Sequence, residues 1–375
     1  MFDPIKASKE IKDSYIDYIT TTFDMADTDY EREFRKELQT DGMVASGPFL
    51  DIGGSYETGH SLRELIQAQK ASVLFERLEP VAEKERELKL DRPLYQHQET
   101  AMLKAGKGEN LVVTTGTGSG KTESFLLPII NHLLREQEAG TLSAGVRAII
   151  IYPMNALAND QMKRMRALFK NYPQICYGVY NGNTEHTQSK ALAEYHRTYH
   201  DETGEPTDPA PNEIISREVM QERPPHILIT NYSMLEYMML RPKDDAVFSG
   251  AKLKFIVLDE AHIYKGATGM ETSLLMRRLR ARISEPDSVQ YILTSATLGG
   301  PDADGDILSF AEKLCGVAFQ RSGIIRSTEK RPAMEDFLDF APALFEELQR
   351  SPDISSVLDR YHADFAPGGS EDEKL

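Results

Sequence analysis

Residues 114–124 read TTGTGSGKTES, a glycine-dense turn between two apolar segments, and this stretch restricts the fold more than any other. Leu111, Val112 and Val113 predict the end of a buried strand, and Phe125, Leu126, Leu127, Ile129 and Ile130 predict a helix face. A strand that turns through glycines into a helix makes a phosphate cradle, because successive backbone N–H groups and the helix N-terminus point at one anion. In such a cradle Lys121 reaches the outer phosphates of ATP, and Thr122 places its hydroxyl on a magnesium ion. The G-x-x-x-x-G-K-[ST] pattern asks for glycine at position 115, where this chain has Thr115. Gly116, Gly118 and Gly120 still supply the freedom the turn needs, so Thr115 is read as a subclass signal.

The candidate nucleotide-binding residues are therefore Thr115, Gly116, Thr117, Gly118, Ser119, Gly120, Lys121, Thr122 and Glu123. Tyr95 and Gln98 join them from Arg92-Pro93-Leu94-Tyr95-Gln96-His97-Gln98, which opens the functional core about twenty residues upstream. A glutamine amide both donates and accepts, as reading an adenine edge requires. The alternative for Gln98 is a solvated helix face.

Apolar runs at 146–152, 177–182, 227–230, 255–258 and 291–294 alternate with helical patterns, which predicts an α/β fold with a mostly parallel sheet and helices on both faces. The run 255–258 ends in Asp259-Glu260-Ala261-His262. Alone, Asp-Glu could cap a helix. Downstream of a phosphate loop, Asp259 is expected to hold the magnesium ion and Glu260 to activate the water that attacks the γ phosphate. His262 is expected to relay rather than ligate, since so hard a cation takes oxygen donors.

The formal net charge is -16, which argues against a polyanionic partner until its distribution is considered. Residues 1–90 carry 12 basic and 19 acidic residues and residues 331–375 carry 4 and 11, so the middle is left near -2. A local groove for nucleic acid is compatible with that balance. Cys176 and Cys315 have no metal-like spacing and read as reduced, buried thiols. No apolar leader and no run of about 18 apolar residues occurs, so a soluble, cytoplasmic protein without membrane association is expected.

Residues 1–90 read as a helical accessory region, with Ile11, Tyr15, Tyr18 and Ile19 at helical spacing and turns at Gly47-Pro48 and Gly53-Gly54. Residues 91–325 form the ATP-binding domain, interrupted at 183–225 by an expected exposed, mobile insertion. His196 and His200 within it are four apart, but the H-E-x-x-H glutamate is missing and no third ligand has recognisable spacing, so no metal site is expected.

The ordered segments LYQHQ, TGTGSGKT, YPMNALANDQ, TNYSML, LDEAH and TSAT resemble the first RecA-like domain of superfamily-2 helicases of the DEAH-box type, from about Arg92 to Gln320. Within that superfamily, TTGTGSGKTES and LDEAHIYKGATG look most like the YprA/MrfA group of bacterial DNA helicases, and helicases of bacterial anti-phage systems share this look. The resemblance implies that Gln98 reads adenine, that Lys121 and Thr122 serve the phosphates and magnesium, and that Asp259 and Glu260 form the hydrolysis pair. It implies that Ser295 and Thr297, with His262, couple ATP state to strand movement, and that Asn155, Gln161 and Thr230 touch a sugar-phosphate backbone. DNA is favoured over RNA as the partner. Arg277, Arg278, Arg280 and Arg282 read as a solvated or domain-contacting face.

Nothing after Thr297 resembles the second RecA-like domain with its arginine fingers. Residues 326–375 are therefore expected to be an acidic helical linker toward that domain, and the chain to be a fragment or a split motor half. The competing readings are an ATP-sensing interaction module and an RNA-directed motor.

Overall fold

The computed structural model describes residues 4–23, 27–40, 42–46, 55–78, 88–116, 118–200, 204–296, 299 and 301–330. Thr117, Thr297, both glycine turns of the N-terminal region and residues 331–375 lie outside that set. The chain divides into two compact units, residues 1–54 and residues 55–375. In the first, α1 (Pro4–Thr22) precedes α2 (Thr28–Gln39). Asp27 caps α2 by accepting from the N–H groups of Asp29 and Tyr30 at 2.8 and 3.4 Å.

The second unit begins with β1 (Thr58–Ser61), α3 (Leu62–Gln67), β2 (Pro93–Tyr95), α4 (Gln96–Gly106), β3 (Leu111–Thr114) and α5 (Lys121–Glu138). It continues through β4 (Ala148–Tyr152), α6 (Asn155–Phe169), β5 (Tyr177–Tyr180), α7 (Gln188–Thr198), β6 (Glu213–Ile214) and α8 (Arg217–Glu222). Then follow β7 (Ile227–Asn231), α9 (Tyr232–Leu240), α10 (Asp245–Phe248), β8 (Phe255–Leu258) and α11 (Gly266–Arg282). The last described elements are β9 (Gln290–Ser295), α12 (Asp304–Cys315) and β10 (Ile324–Arg326).

Eight strands form one sheet in the order β10-β3-β9-β8-β4-β7-β5-β6, with every adjacent pair parallel. The central strands are continuous apolar runs because both faces are covered. Successive β3 residues alternate between two cores: Leu111 and Val113 pack with Phe125 and Ile129 of α5, and Val112 packs with Leu275 of α11 and Ile307 of α12. Parallel strands bring the loops after β3, β9 and β8 to one edge, where α/β sheets hold ligands. Register pairs Thr114 with Ser295 and Leu258 with Leu293, so the three loops start at similar depth.

Two expectations change. The boundary falls at residues 54/55 rather than 90. Leu62, Leu65, Phe75, Leu78 and Leu90 share a core with α4 and α5, and β1 pairs antiparallel with β2. The segment 183–225 reads in sequence as an exposed, mobile insertion, but its residues 213–214 form a strand of the sheet and its helix α8 is partly buried. Strand β6 pairs with β5, and Asn212, Glu213, Ser216, Arg217 and Met220 are buried. Polar residues hide there because each finds a partner, as when Asn212 Nδ2 donates to Ile175 O at 2.9 Å. No helix among the described residues is long and apolar enough to cross a membrane.

Candidate nucleotide site

The phosphate loop leaves β3 at Thr114 and enters α5 at Lys121 through Gly118 and Gly120, whose φ angles of 75° and 73° lie in the left-handed region that glycine tolerates. A Cβ at Gly120 would also fall 2.3 Å from Gln98 Nε2. The buried Thr115 donates its N–H to Ser295 O at 3.2 Å, and its hydroxyl lies 2.7 Å from the buried Ser119 hydroxyl, itself 2.8 Å from Gly116 O. Threonine at 115 thus braces the loop with a side chain where the common pattern has none.

Helix α4 holds the loop from the other side. Gln98 accepts the Tyr95 N–H at 2.9 Å and donates to Gly120 O at 3.1 Å, while His97 Nε2 sits 2.8 Å from Ser119 O. A cavity of about 420 Å³ opens between α4 and the start of α5, lined by Arg92, Tyr95, Gln98, Lys121, Thr122 and Arg164, among others. Arg164 of α6 forms an ion pair with Glu123 there.

Across the edge, Lys121 Nζ lies 3.3 Å from Glu260 Oε1. Glu260 has a left-handed φ of 49°, an uncommon conformation for a side chain of that size. Its N–H donates to the Thr294 hydroxyl at 3.3 Å, and that hydroxyl donates in turn to Asp259 Oδ1. Burial raises the Asp259 pKa above its usual value, an effect that the Thr294 hydrogen bond partly offsets. His262 Nδ1 lies 3.2 Å from Glu260 Oε2 and 3.1 Å from Ser295 Oγ.

Lys121, Asp259, Glu260, His262 and Ser295 therefore share one connected site, with Thr122 on the first turn of α5. Asn155 and Thr230 lie apart from it, at the starts of α6 and the end of β7. Asn155 Oδ1 accepts from Asn231 Nδ2 at 2.8 Å, and the buried Thr230 hydroxyl donates to Tyr180 O at 2.7 Å. Gln161 is half-buried, and its Oε1 has no hydrogen-bond partner among the described residues. Helix α7 ends at Thr198, so His200 is not on it with His196, which pairs with Asp208 at 2.7 Å. Arg278, Arg280 and Arg282 pair with Glu236, Asp287 and Asp245. Arg277 donates to Lys313 O at 3.2 Å. Sequence reading missed Thr294, His97 and Asn231; all three sit inside recognised motifs, one position from Ser295, Gln98 and Thr230.

A parallel sheet with a glycine-rich loop entering a helix, an acidic pair two strands away and a hydroxyl network between them defines a P-loop nucleotide-binding domain of RecA-like fold. The chain matches the DEAD/DEAH box helicase family over residues 95–304, and it belongs to that family. Druantia protein DruE of Escherichia coli (strain UMEA 4076-1) is 34% identical over 414 residues, covering 86% of this chain and 22% of DruE. The ATP-dependent helicase YprA of Bacillus subtilis (strain 168) is 30% identical over 219 residues, 58% of this chain and 24% of YprA. The chain thus spans less than a quarter of the length of these relatives. In fold it is similar to the DUF1998 helicase MrfA bound to DNA and AMPPNP, with a TM-score of 0.50 at 20% identity, covering 85% of this chain and 38% of MrfA.

Proposed function

We propose that this chain is the ATP-binding RecA-like part of a cytoplasmic ATP-dependent DNA helicase or translocase. The observation that carries this reading is the Lys121–Glu260 contact, with Asp259 held beside it by Thr294. The phosphate loop binds the triphosphate, with Lys121 on the outer phosphates and Gln98 and Tyr95 beside the adenine. The buried carboxylate of Asp259 and the Thr122 hydroxyl are oxygen donors of the kind magnesium takes, and bound magnesium would neutralise charge on the β and γ phosphates. Glu260 orients the attacking water and accepts its proton. His262 and Ser295, linked at 3.1 Å, pass the state of that carboxylate to β9.

Asn155 opens α6, which also carries Gln161, and Thr230 lies at the end of β7 on the same side of the sheet, which supports a role near a nucleic-acid backbone, read without sequence preference. The MrfA complex with DNA supports DNA as the strand. A second RecA-like domain, in the same or a partner chain, supplies arginine fingers, typically worth a factor of about a thousand or more in turnover. The defence setting expected from the sequence belongs to the same proposal. ATPase stimulation by single-stranded DNA, duplex DNA and RNA tests it in the complete motor. Stimulation by DNA above RNA is expected. Turnover that no nucleic acid stimulates would replace the motor with an ATP sensor.

A further inference from the structure

We infer that His97 is a positioning residue for the phosphate cradle, pinning the Ser119 carbonyl so that the next backbone N–H faces the triphosphate. This rests on the nucleotide reading of the loop proposed above, and it adds a residue that no catalytic motif assigned.

The argument begins with the peptide unit. A trans peptide is planar, and its C=O and N–H point in opposite directions. Fixing one carbonyl therefore aims the N–H of the following residue. In the first turn of α4, His97 Nε2 lies 2.8 Å from Ser119 O and Gln98 Nε2 donates to Gly120 O at 3.1 Å. Two adjacent side chains thus hold two adjacent carbonyls on the α4 side. The N–H groups of Gly120 and Lys121 consequently turn away from α4, as an anion cradle needs. Since Gly118 and Gly120 flank the pinned unit at left-handed φ, the loop has little stiffness of its own to hold that orientation.

The surroundings of His97 suit this task. Only 2% of the residue is exposed. Tyr95 stacks on its ring with centroids 5.6 Å apart, and Tyr56 meets it edge-on at 5.8 Å. A carbonyl can only accept, so Nε2 must carry the proton. Nδ1 is buried with no hydrogen-bond partner among the described residues, as fits a neutral ring held in one tautomer by packing. Burial lowers the His97 pKa, in the same direction.

The test measures binding of inorganic tripolyphosphate, ATP and adenosine to the full chain in magnesium buffer. His97→Phe keeps the ring and its stacking but removes the donor. The expected result is a loss of about tenfold for tripolyphosphate and ATP, with adenosine affinity unchanged. His97→Gln restores an N–H donor and is expected to return tripolyphosphate binding to within about threefold of wild type. Tripolyphosphate binding by His97→Phe at the wild-type level overturns the assignment, as do equal losses in both variants or an equal loss of adenosine binding. Should His97→Phe not fold, His97→Leu replaces it as the donorless arm. Wild-type protein that binds neither ATP nor tripolyphosphate overturns the nucleotide reading itself, a separate outcome from failure of the His97 assignment alone.

Discussion

Lys121 Nζ and Glu260 Oε1 lie 3.3 Å apart, joining the first residue of α5 to the loop after β8. Strand β9 runs between the two parent strands, so the contact closes over the mouth of that strand. Both side chains are largely covered, at 11% and 25% exposure. In the proposed mechanism the pair separates when a triphosphate arrives: Lys121 turns to the phosphates and Glu260 to water.

Glu260→Gln tests the second half of that exchange. The amide keeps the size of the side chain and loses its basicity. ATP binding is expected to persist while hydrolysis falls by about a hundredfold or more, as for loss of a general base. Turnover within a few fold of wild type, measured in the complete motor, would remove Glu260 from the chemistry.

Ser295→Ala removes the hydroxyl 3.1 Å from His262 Nδ1. If that contact reports the carboxylate state to β9, nucleic acid ceases to stimulate turnover in the variant while ATP still binds. The readout is ATPase rate with and without DNA. Undiminished stimulation would show that coupling runs elsewhere.

Away from the edge, Glu213→Ala should destabilise the fold. Arg166 Nε and Nη2 reach Glu213 carboxylate oxygens at 2.7 to 3.0 Å, and the guanidinium lies 4.3 Å from the Tyr199 ring centroid. The Glu213 side chain is 1% exposed, so its removal strands a partly buried cation, and a loss of about 3 kcal/mol is expected in denaturant unfolding. A loss below about 1 kcal/mol would mean that the pair contributes no more than a surface one.

Stability should also fall in acid. Cys176 donates its N–H to His226 Nδ1 at 2.9 Å, which requires that nitrogen to be unprotonated. Burial holds the His226 pKa below its usual 6.5, and His97 and His132 are shifted the same way by the same cause. A base whose folded pKa is depressed stabilises the fold fully above the unfolded value and loses that contribution as pH falls through the folded value. Melting temperature is expected to drop as pH goes from about 7 to about 5, and to drop less in His226→Gln. An equal drop in both would place the acid sensitivity elsewhere.

The parts of this fold legible in the sequence are those whose pattern is local. Ala148–Tyr152 and Phe255–Leu258 are buried on both faces and read as unbroken apolar runs. Lys121 and the Asp259-Glu260 pair announce themselves by motif. Glu213–Ile214 and Ile324–Arg326 were missed because two or three residues carry no period, and only their neighbours β5 and β3 make them strands. Thr294 escaped for a similar reason: its partnership with Asp259 comes from the pairing of β8 with β9, which no spacing along the chain encodes. The segment 183–225 looked solvent-exposed by composition, yet mutual pairing of Arg166 with Glu213 lets its charge go inside.

The central claim is that the loop around Lys121 binds and serves hydrolysis of ATP. Its most direct test is DNA-stimulated ATPase activity of Lys121→Ala in the complete motor. The account predicts that turnover is lost while the melting temperature of the protein without nucleotide is retained. Turnover at the wild-type rate would contradict it.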